Sequence, residues 1–204
     1  MRRGESPGSL FLTGPPGSGK TTLIREASEI LREGGCRVKG FYAPEIREGG
    51  RRVGFDICDL ECTMRTPLAR IDCLSTVKVG RYGVCIEQAA RAALILRDAL
   101  KTGDVIVIDE IGPMELLVPE IREAIIEVLS SKKPVLGVVH RRLKSKYPNI
   151  YSLVRQKGPI LWLDRESRPI VRRKVLDYVR VLAVEVCGAE GGESSSNDSR
   201  SGGS

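Results

Sequence analysis

Residues 10–24 read LFLTGPPGSGKTTLI: an apolar run, Leu10-Phe11-Leu12, a loop, Gly14-Pro15-Pro16-Gly17-Ser18-Gly19-Lys20-Thr21, and then Thr22-Leu23-Ile24, where a helical pattern begins. The loop matches G-x-x-x-x-G-K-[ST], and that spacing has a mechanism. Glycines let successive backbone N–H groups turn inward, and the following helix points its positive end into the same hollow, which therefore binds phosphate. Lys20 adds a full charge at the outer phosphates, and the Thr21 hydroxyl is a ligand for a magnesium ion (Mg2+) bridging them. Pro15 and Pro16 have no N–H to donate and stiffen the approach to the loop. The expected nucleotide-binding set is the whole run from Gly14 to Thr22. A chance glycine turn is the competing explanation, and the strand before and helix after weigh against it.

Downstream, Leu23, Ile24, Ala27, Ile30 and Leu31 repeat at helical spacing, and Gly34-Gly35 stops the helix. Residues 37–43 read as the next strand, ended by Pro44, as in a βαβ unit. Doubly wound sheets bind ligands beyond the carboxyl ends of their strands, which directs Glu45 and Arg47 toward the nucleotide. Glu48-Gly49-Gly50 is a turn signal and Val53, Phe55 and Ile57 alternate after it, so residues 43–57 form a hairpin excursion with Arg47, Arg51 and Arg52 around its tip. Phosphoryl-transfer sites commonly use an arginine to offset charge in the transition state. Arg47, nearest the strand's carboxyl end, is the first candidate for that role in cis; an ordinary solvated tip is the alternative.

The second informative stretch is Val105-Ile106-Val107-Ile108, β-branched throughout and therefore a strand buried on both faces, which delivers Asp109 and Glu110 to the sheet's edge. An aspartate there holds magnesium, usually through water, and a glutamate beside it accepts a hydrogen bond from an attacking water. The pair points to hydrolysis. Asp109 to Gly112 also fits the D-x-x-G of GTP switches, but neither Asn149 nor Asn197 lies in an N-K-x-D segment, so guanine specificity is unsupported.

Val77 and Val79, then Val84 and Ile86, suggest two short strands around Gly80, followed by a helix over residues 87–100. Ile121, Ala124, Ile125, Val128 and Leu129 mark an amphipathic helix, and residues 135–139 the next buried strand, with His140 at its end as a candidate γ-phosphate sensor. Arg141, Arg142, Lys144 and Lys146 form the densest basic cluster, best read as a solvated face. Residues 150–154 are helical, residues 160–163 are a strand, and Ser167 with Pro169 starts a last helix.

The length of 204 residues suits one α/β domain, expected over residues 9–187, with a flexible N-terminus (1–8) and a disordered tail (188–204) that has no apolar periodicity. Apolar content of 41% supports a core, and 4% aromatic makes it chiefly aliphatic. No apolar run is long enough to cross a bilayer and no signal segment is evident, so a cytoplasmic protein is expected. The six cysteines are then expected as reduced thiols, without a disulfide framework. The spacing of Cys58, Cys62, Cys73 and Cys85 does not suit structural zinc. A net charge of +7 suits polyanions, but the arginines are scattered without the aromatic interleaving of a strand-binding surface, so nucleic acid is a possible but not a favoured partner.

LFLTGPPGSGKTTLI, GFYAPEIREGGRRVGFDI, VKVGRYGV and VIVIDEIGPMEL together resemble the small P-loop nucleoside-triphosphatases of archaea, bacteria and animals that include the cancer-related nucleoside-triphosphatase. The resemblance runs from Leu10 to about Val179. It implies an α/β, RecA-like P-loop fold with a mostly parallel sheet between helices, and Mg-dependent hydrolysis of several nucleoside triphosphates to diphosphates. The family usually has lysine after D-E-I-G where this chain has Pro113, and Glu115 in the matching M-E-L is either a second polar group near the site or a helix-start carboxylate. The expected assignment is Lys20, Glu110 and Arg47 as catalytic groups, with Thr21 and Asp109 for the metal. A nucleotide-switched nucleic-acid-binding protein and, more remotely, a nucleotide kinase are the rival functions.

Overall fold

The glycine-rich loop lies between strand β1 (Leu10–Thr13) and helix α1 (Lys20–Glu33) in the computed structural model, which describes residues 8–188. Nearly all of the expected flexible N-terminus and disordered tail lie outside the described residues. In α1, Leu23, Ile24, Ala27 and Leu31 are buried along one stripe, the face that the helical spacing selects. Strand β2 (Val38–Tyr42) follows, and then the hairpin of β3 (Glu45–Glu48) and β4 (Arg51–Asp59). Gly49 and Gly50 both take positive φ, 53° and 78°, as a two-residue hairpin turn matched to strand twist requires.

Next come β5 (Arg65–Arg70), β6 (Lys78–Val79) and β7 (Tyr82–Val84). The helix expected over 87–100 is instead α2 (Ile86–Ala89), a 3-10 turn (Ala90–Ala92) and α3 (Ala93–Thr102). The chain then alternates: β8 (Val105–Ile111), α4 (Pro113–Leu116), α5 (Pro119–Ser130), β9 (Val135–Val139), α6 (Leu143–Lys146), α7 (Pro148–Lys157), β10 (Ile160–Trp162) and α8 (Arg168–Cys187).

The strands form one sheet in the order β10-β1-β9-β8-β2-β4-β5-β7-β6, with β3 added on β4. The five strands from β10 to β2 are parallel and sandwiched between helices; β4 joins β2 antiparallel, and everything beyond it is antiparallel. One face of the parallel part buries Leu12, Val107 and Val138 with Ile24 and Leu31 of α1 and Val175 and Val179 of α8. The other buries Phe11, Ile106 and Ile108 with Leu96 of α3, Ile125 of α5 and Val154 of α7. This is the expected P-loop α/β architecture. Among the described residues, no helix is long and apolar enough to cross a membrane.

One strand was not expected at all, and one expectation needs correction. Strand β5 was not legible, because Pro67 interrupts it; the proline is tolerated opposite Asp56, where the β4–β5 register shifts. The cysteines are not all free thiols. Cys36, two residues before β2, is bonded to Cys187 at the end of α8, with Cα atoms 5.2 Å apart across 151 residues of sequence, and Cys58 is bonded to Cys62. The first partnership exists because α8 packs along α1 and brings its last turn over the α1–β2 turn, which no local spacing reveals. Cys73 and Cys85 are free. The described residues hold no cluster of three or more His, Cys, Asp or Glu suited to a metal.

Candidate active site

The phosphate loop owes its shape to three glycines with positive φ: Gly14 (154°), Gly17 (75°) and Gly19 (94°). At Gly14 a side chain is doubly forbidden, since a Cβ would also overlap the Leu163 carbonyl after β10. At Gly17 the same Cβ would meet open space, so there the glycine serves backbone conformation alone. The Lys20 ammonium donates to the Gly14 and Pro15 carbonyls at 3.1 and 2.9 Å, arching back over the loop. Burial lowers its pKa, opposed by the charges of Glu110 and Asp109. The Ser18 hydroxyl is buried without a hydrogen-bond partner among the described residues. A buried hydroxyl left without a partner in a loop of this spacing calls for a ligand to complete its bonding.

Asp109, near the carboxyl end of β8, is 5% exposed, and burial raises its pKa, offset first by a hydrogen bond from the Thr21 hydroxyl. That bond joins the two residues expected to share a metal. Glu110 is pushed up to about 7, by burial and then by the Asp109 charge, with Lys20 pulling it down. Glu115, in α4, is buried and pushed up to about 8 by burial and then by the Glu110 charge. Gly112 explains how the two glutamates approach: a Cβ there would lie 3.0 Å from Glu110 Oε1 and 3.0 Å from Glu115 Oε2. Glu115 is therefore the second polar group of the site, and it holds its proton at neutral pH.

β9 lies between β1 and β8, so the strands that lead to the phosphate loop and to the Asp109-Glu110 pair are two strand spacings apart, about 10 Å, and Thr21 at the start of α1 reaches across to Asp109. His140 follows β9, the strand between them, with its Cβ 3.3 Å from where a Gly112 Cβ would be. Its Nδ1 accepts from the Arg142 N–H at 3.1 Å, which leaves any neutral-state proton on Nε2, and burial with the charges of Arg141 and Arg142 lowers its pKa. The Arg141 charge also acts on Lys20, depressing its pKa, so this arginine belongs to the neighbourhood of the site.

Arg47 is placed differently. It lies on β3, 59% exposed, pairs with Glu45 at 2.8 Å and donates to the Gly50 carbonyl at 3.2 Å. Arg52 pairs with the same Glu45 at 2.6 Å and bonds the Tyr82 hydroxyl at 2.9 Å. The sequence pattern that singled out these arginines carried no information about their acidic partners.

The donor set suits magnesium. A hydroxyl and one carboxylate are hard oxygen ligands already in contact, and magnesium is usually held by one or two protein groups plus phosphate oxygens and water. The same residues would suit zinc or copper poorly, with no cysteine and no second imidazole among them. The arrangement as a whole provides an oxyanion cradle, a cation beside it, a cation-binding edge and a buried carboxylate at the end of β8, which together equip it to transfer a phosphoryl group to water.

Comparisons with known proteins agree with this geometry. The sequence profile of a family described as NTPase matches residues 9–176. A protein named nucleoside-triphosphatase THEP1, from Ignicoccus hospitalis, is 47% identical over 137 residues, covering 67% of this chain and 78% of its own. Among solved structures, a human cancer-related nucleoside triphosphatase superposes with a TM-score of 0.69 at 35% identity, covering 85% of this chain and 98% of its own. THEP1 from Aquifex aeolicus superposes with a TM-score of 0.68 at 28% identity, covering 84% and 98%.

Proposed function

The chain belongs to this NTPase family, and from that premise we propose that it is a magnesium-dependent nucleoside-triphosphatase, converting ATP, GTP and other nucleoside triphosphates to the diphosphate and phosphate with little regard for the base. The observation that carries the reading is the convergence of Lys20 and Thr21, at the start of α1, with Asp109 and Glu110, at the end of β8, at the sheet's carboxyl edge.

In this reading the N–H groups of the loop bind the β- and γ-phosphates, and the Lys20 ammonium leaves the Gly14 and Pro15 carbonyls for phosphate oxygens. Thr21 and Asp109 would hold magnesium, which when bound neutralises charge on the bridging phosphate oxygens. Glu110 accepts a hydrogen bond from the attacking water and takes its proton as the bond to phosphorus forms. Glu115, protonated beside it, keeps a second negative charge away from that water. Charge growing on the transferred group is met by an arginine in cis, Arg141 first on the evidence of its effect on Lys20, and Arg47 second if the hairpin releases it from Glu45.

The test is phosphate release from ATP, GTP, CTP and UTP, with magnesium and with a chelator. Release from all four, abolished by chelation, is expected. Magnesium-independent release, or a preference for one base above about a hundredfold, equivalent to roughly 2.7 kcal/mol, would overturn the corresponding part of the reading.

A further inference from the structure

The loop between β10 and α8 forms the wall of the phosphate site away from β8, and nothing in the chemistry above uses it. It is organised by its own side chains. One Asp164 carboxylate oxygen accepts from the Trp162 indole N–H at 2.7 Å; the other accepts from the Glu166 and Ser167 N–H groups at 3.1 and 2.8 Å. The Ser167 hydroxyl donates to the Trp162 carbonyl at 3.1 Å and accepts from the Asp164 N–H at 3.0 Å. Ser167 stands at the N-cap position of α8, yet its side chain caps nothing there and stitches the loop instead.

This locked loop presses on the phosphate loop at two points. Leu163 leaves no room for a side chain at Gly14, and the Arg168 guanidinium lies 3.3 Å from where a Gly19 Cβ would be, bordering a small cleft with Thr22 and Leu163. One turn further along α8, Arg172 Nε donates to Glu26 of α1 at 3.0 Å and fixes the start of the helix. Arg168 has no ion pair or hydrogen bond among the described residues. Trp162, the only tryptophan of the chain, is 50% exposed although its N–H is pinned.

Position decides what this wall meets. A triphosphate whose terminal phosphate lies between Lys20 and the Asp109-Glu110 pair extends away from β8, and the strand order places β1 and then β10 on that side. Its sugar and base therefore arrive at the β10–α8 loop. The two ends of the loop offer exposed flat groups, the Trp162 indole and the Arg168 guanidinium, while the Asp164 carboxylate is already bonded within the loop and reads no base edge. Flat groups hold bases through the π-face that every base has, a mode of binding tolerant of base identity.

We infer that the β10–α8 loop is the nucleoside platform of this site, with Arg168 and Trp162 stacking on the base. The inference rests on the triphosphatase reading and adds a structural reason for indifference to the base.

The experiment uses the full chain and four magnesium-loaded probes: ADP, GDP, CDP and inorganic tripolyphosphate. Trp162 emission should respond to the three nucleotides and not to tripolyphosphate. R168A should weaken the three nucleotides to similar extents, by about tenfold, and tripolyphosphate by less than about twofold; W162A should do the same by calorimetry. Equal weakening of tripolyphosphate and nucleotides by R168A would assign Arg168 to phosphate and overturn the platform, as would nucleotide affinities unchanged in both variants. Tripolyphosphate binding that K20A abolishes establishes the phosphate loop separately, so a failure of the platform is distinguishable from a failure of the triphosphatase reading.

Discussion

The carboxyl edge of the parallel half and the antiparallel extension of the sheet both carry cationic side chains, and they partner them differently. In the extension, Arg47 and Arg52 share Glu45, Arg65 pairs with the buried Asp56 at 2.6 Å, Arg70 pairs with the same carboxylate, and Arg81 lies 5.2 Å from the Tyr82 ring centre. At the carboxyl edge of the parallel half, Lys20 touches only backbone carbonyls, and Arg141 and Arg168 have no acidic partner among the described residues. Charge that is already paired holds the fold together; charge left without a partner among the described residues, beside an orphaned hydroxyl and three raised carboxyls, marks where an anionic ligand completes the bonding.

The contrast is broken most directly at its strongest point. Lys20→Ala should lower phosphate release by about a thousandfold or more without loss of folded structure, and Glu110→Gln should lower it by about a hundredfold while retaining magnesium-nucleotide. An active, folded Lys20→Ala protein would end the phosphate-loop assignment; a Glu110→Gln enzyme at the parent rate would end that of the water-activating carboxylate.

The two arginine populations can be set against each other. Arg141→Ala should slow single-turnover hydrolysis by about a hundredfold, and Arg47→Ala by only a few fold, because Glu45 already neutralises it in the resting hairpin. The reverse order would show that the hairpin opens and delivers Arg47 to the γ-phosphate.

Asp56→Ala should behave as a structural lesion. It strands two guanidinium groups, one of them only 20% exposed, and should cost about 2–3 kcal/mol in denaturant unfolding while leaving turnover per folded molecule unchanged. A loss of turnover without loss of stability would erase the distinction between the two halves.

The smallest expected effect concerns Glu115. Folded, it holds its proton up to about pH 8; unfolded, it releases it near its ordinary value of 4.5, so between those values stability falls as pH rises. Glu115→Gln has no proton to lose and should be more stable than the parent by about 2 kcal/mol at pH 6, where only the unfolded carboxyl has ionised, with little difference at pH 4. Equal pH slopes in the two proteins would show that Glu115 is ionised in the fold.

Much of the site is legible before folding because its parts are local. A strand, a loop of fixed glycine spacing and a helix carry their phosphate-binding geometry in adjacent residues, and Val105-Ile106-Val107-Ile108 followed by Asp109-Glu110 announces a buried strand with carboxylates at its end. The extension was less legible where it departs from ideal pairing: β5 hides behind Pro67, and its existence depends on an irregularity in β4, another strand.

What the sequence by itself determined is the set of chemical groups and the local elements that present them, since hydrophobic period and turn chemistry act over a few residues. The tertiary structure alone decided that β9 would stand between β1 and β8, that Cys36 would meet Cys187, that Glu115 would lie against Glu110, and that Glu45 would occupy Arg47 while Arg141 has no partner among the described residues. Each of these is a pairing between distant segments, and its energy comes from contacts and burial that exist only once the layers have packed.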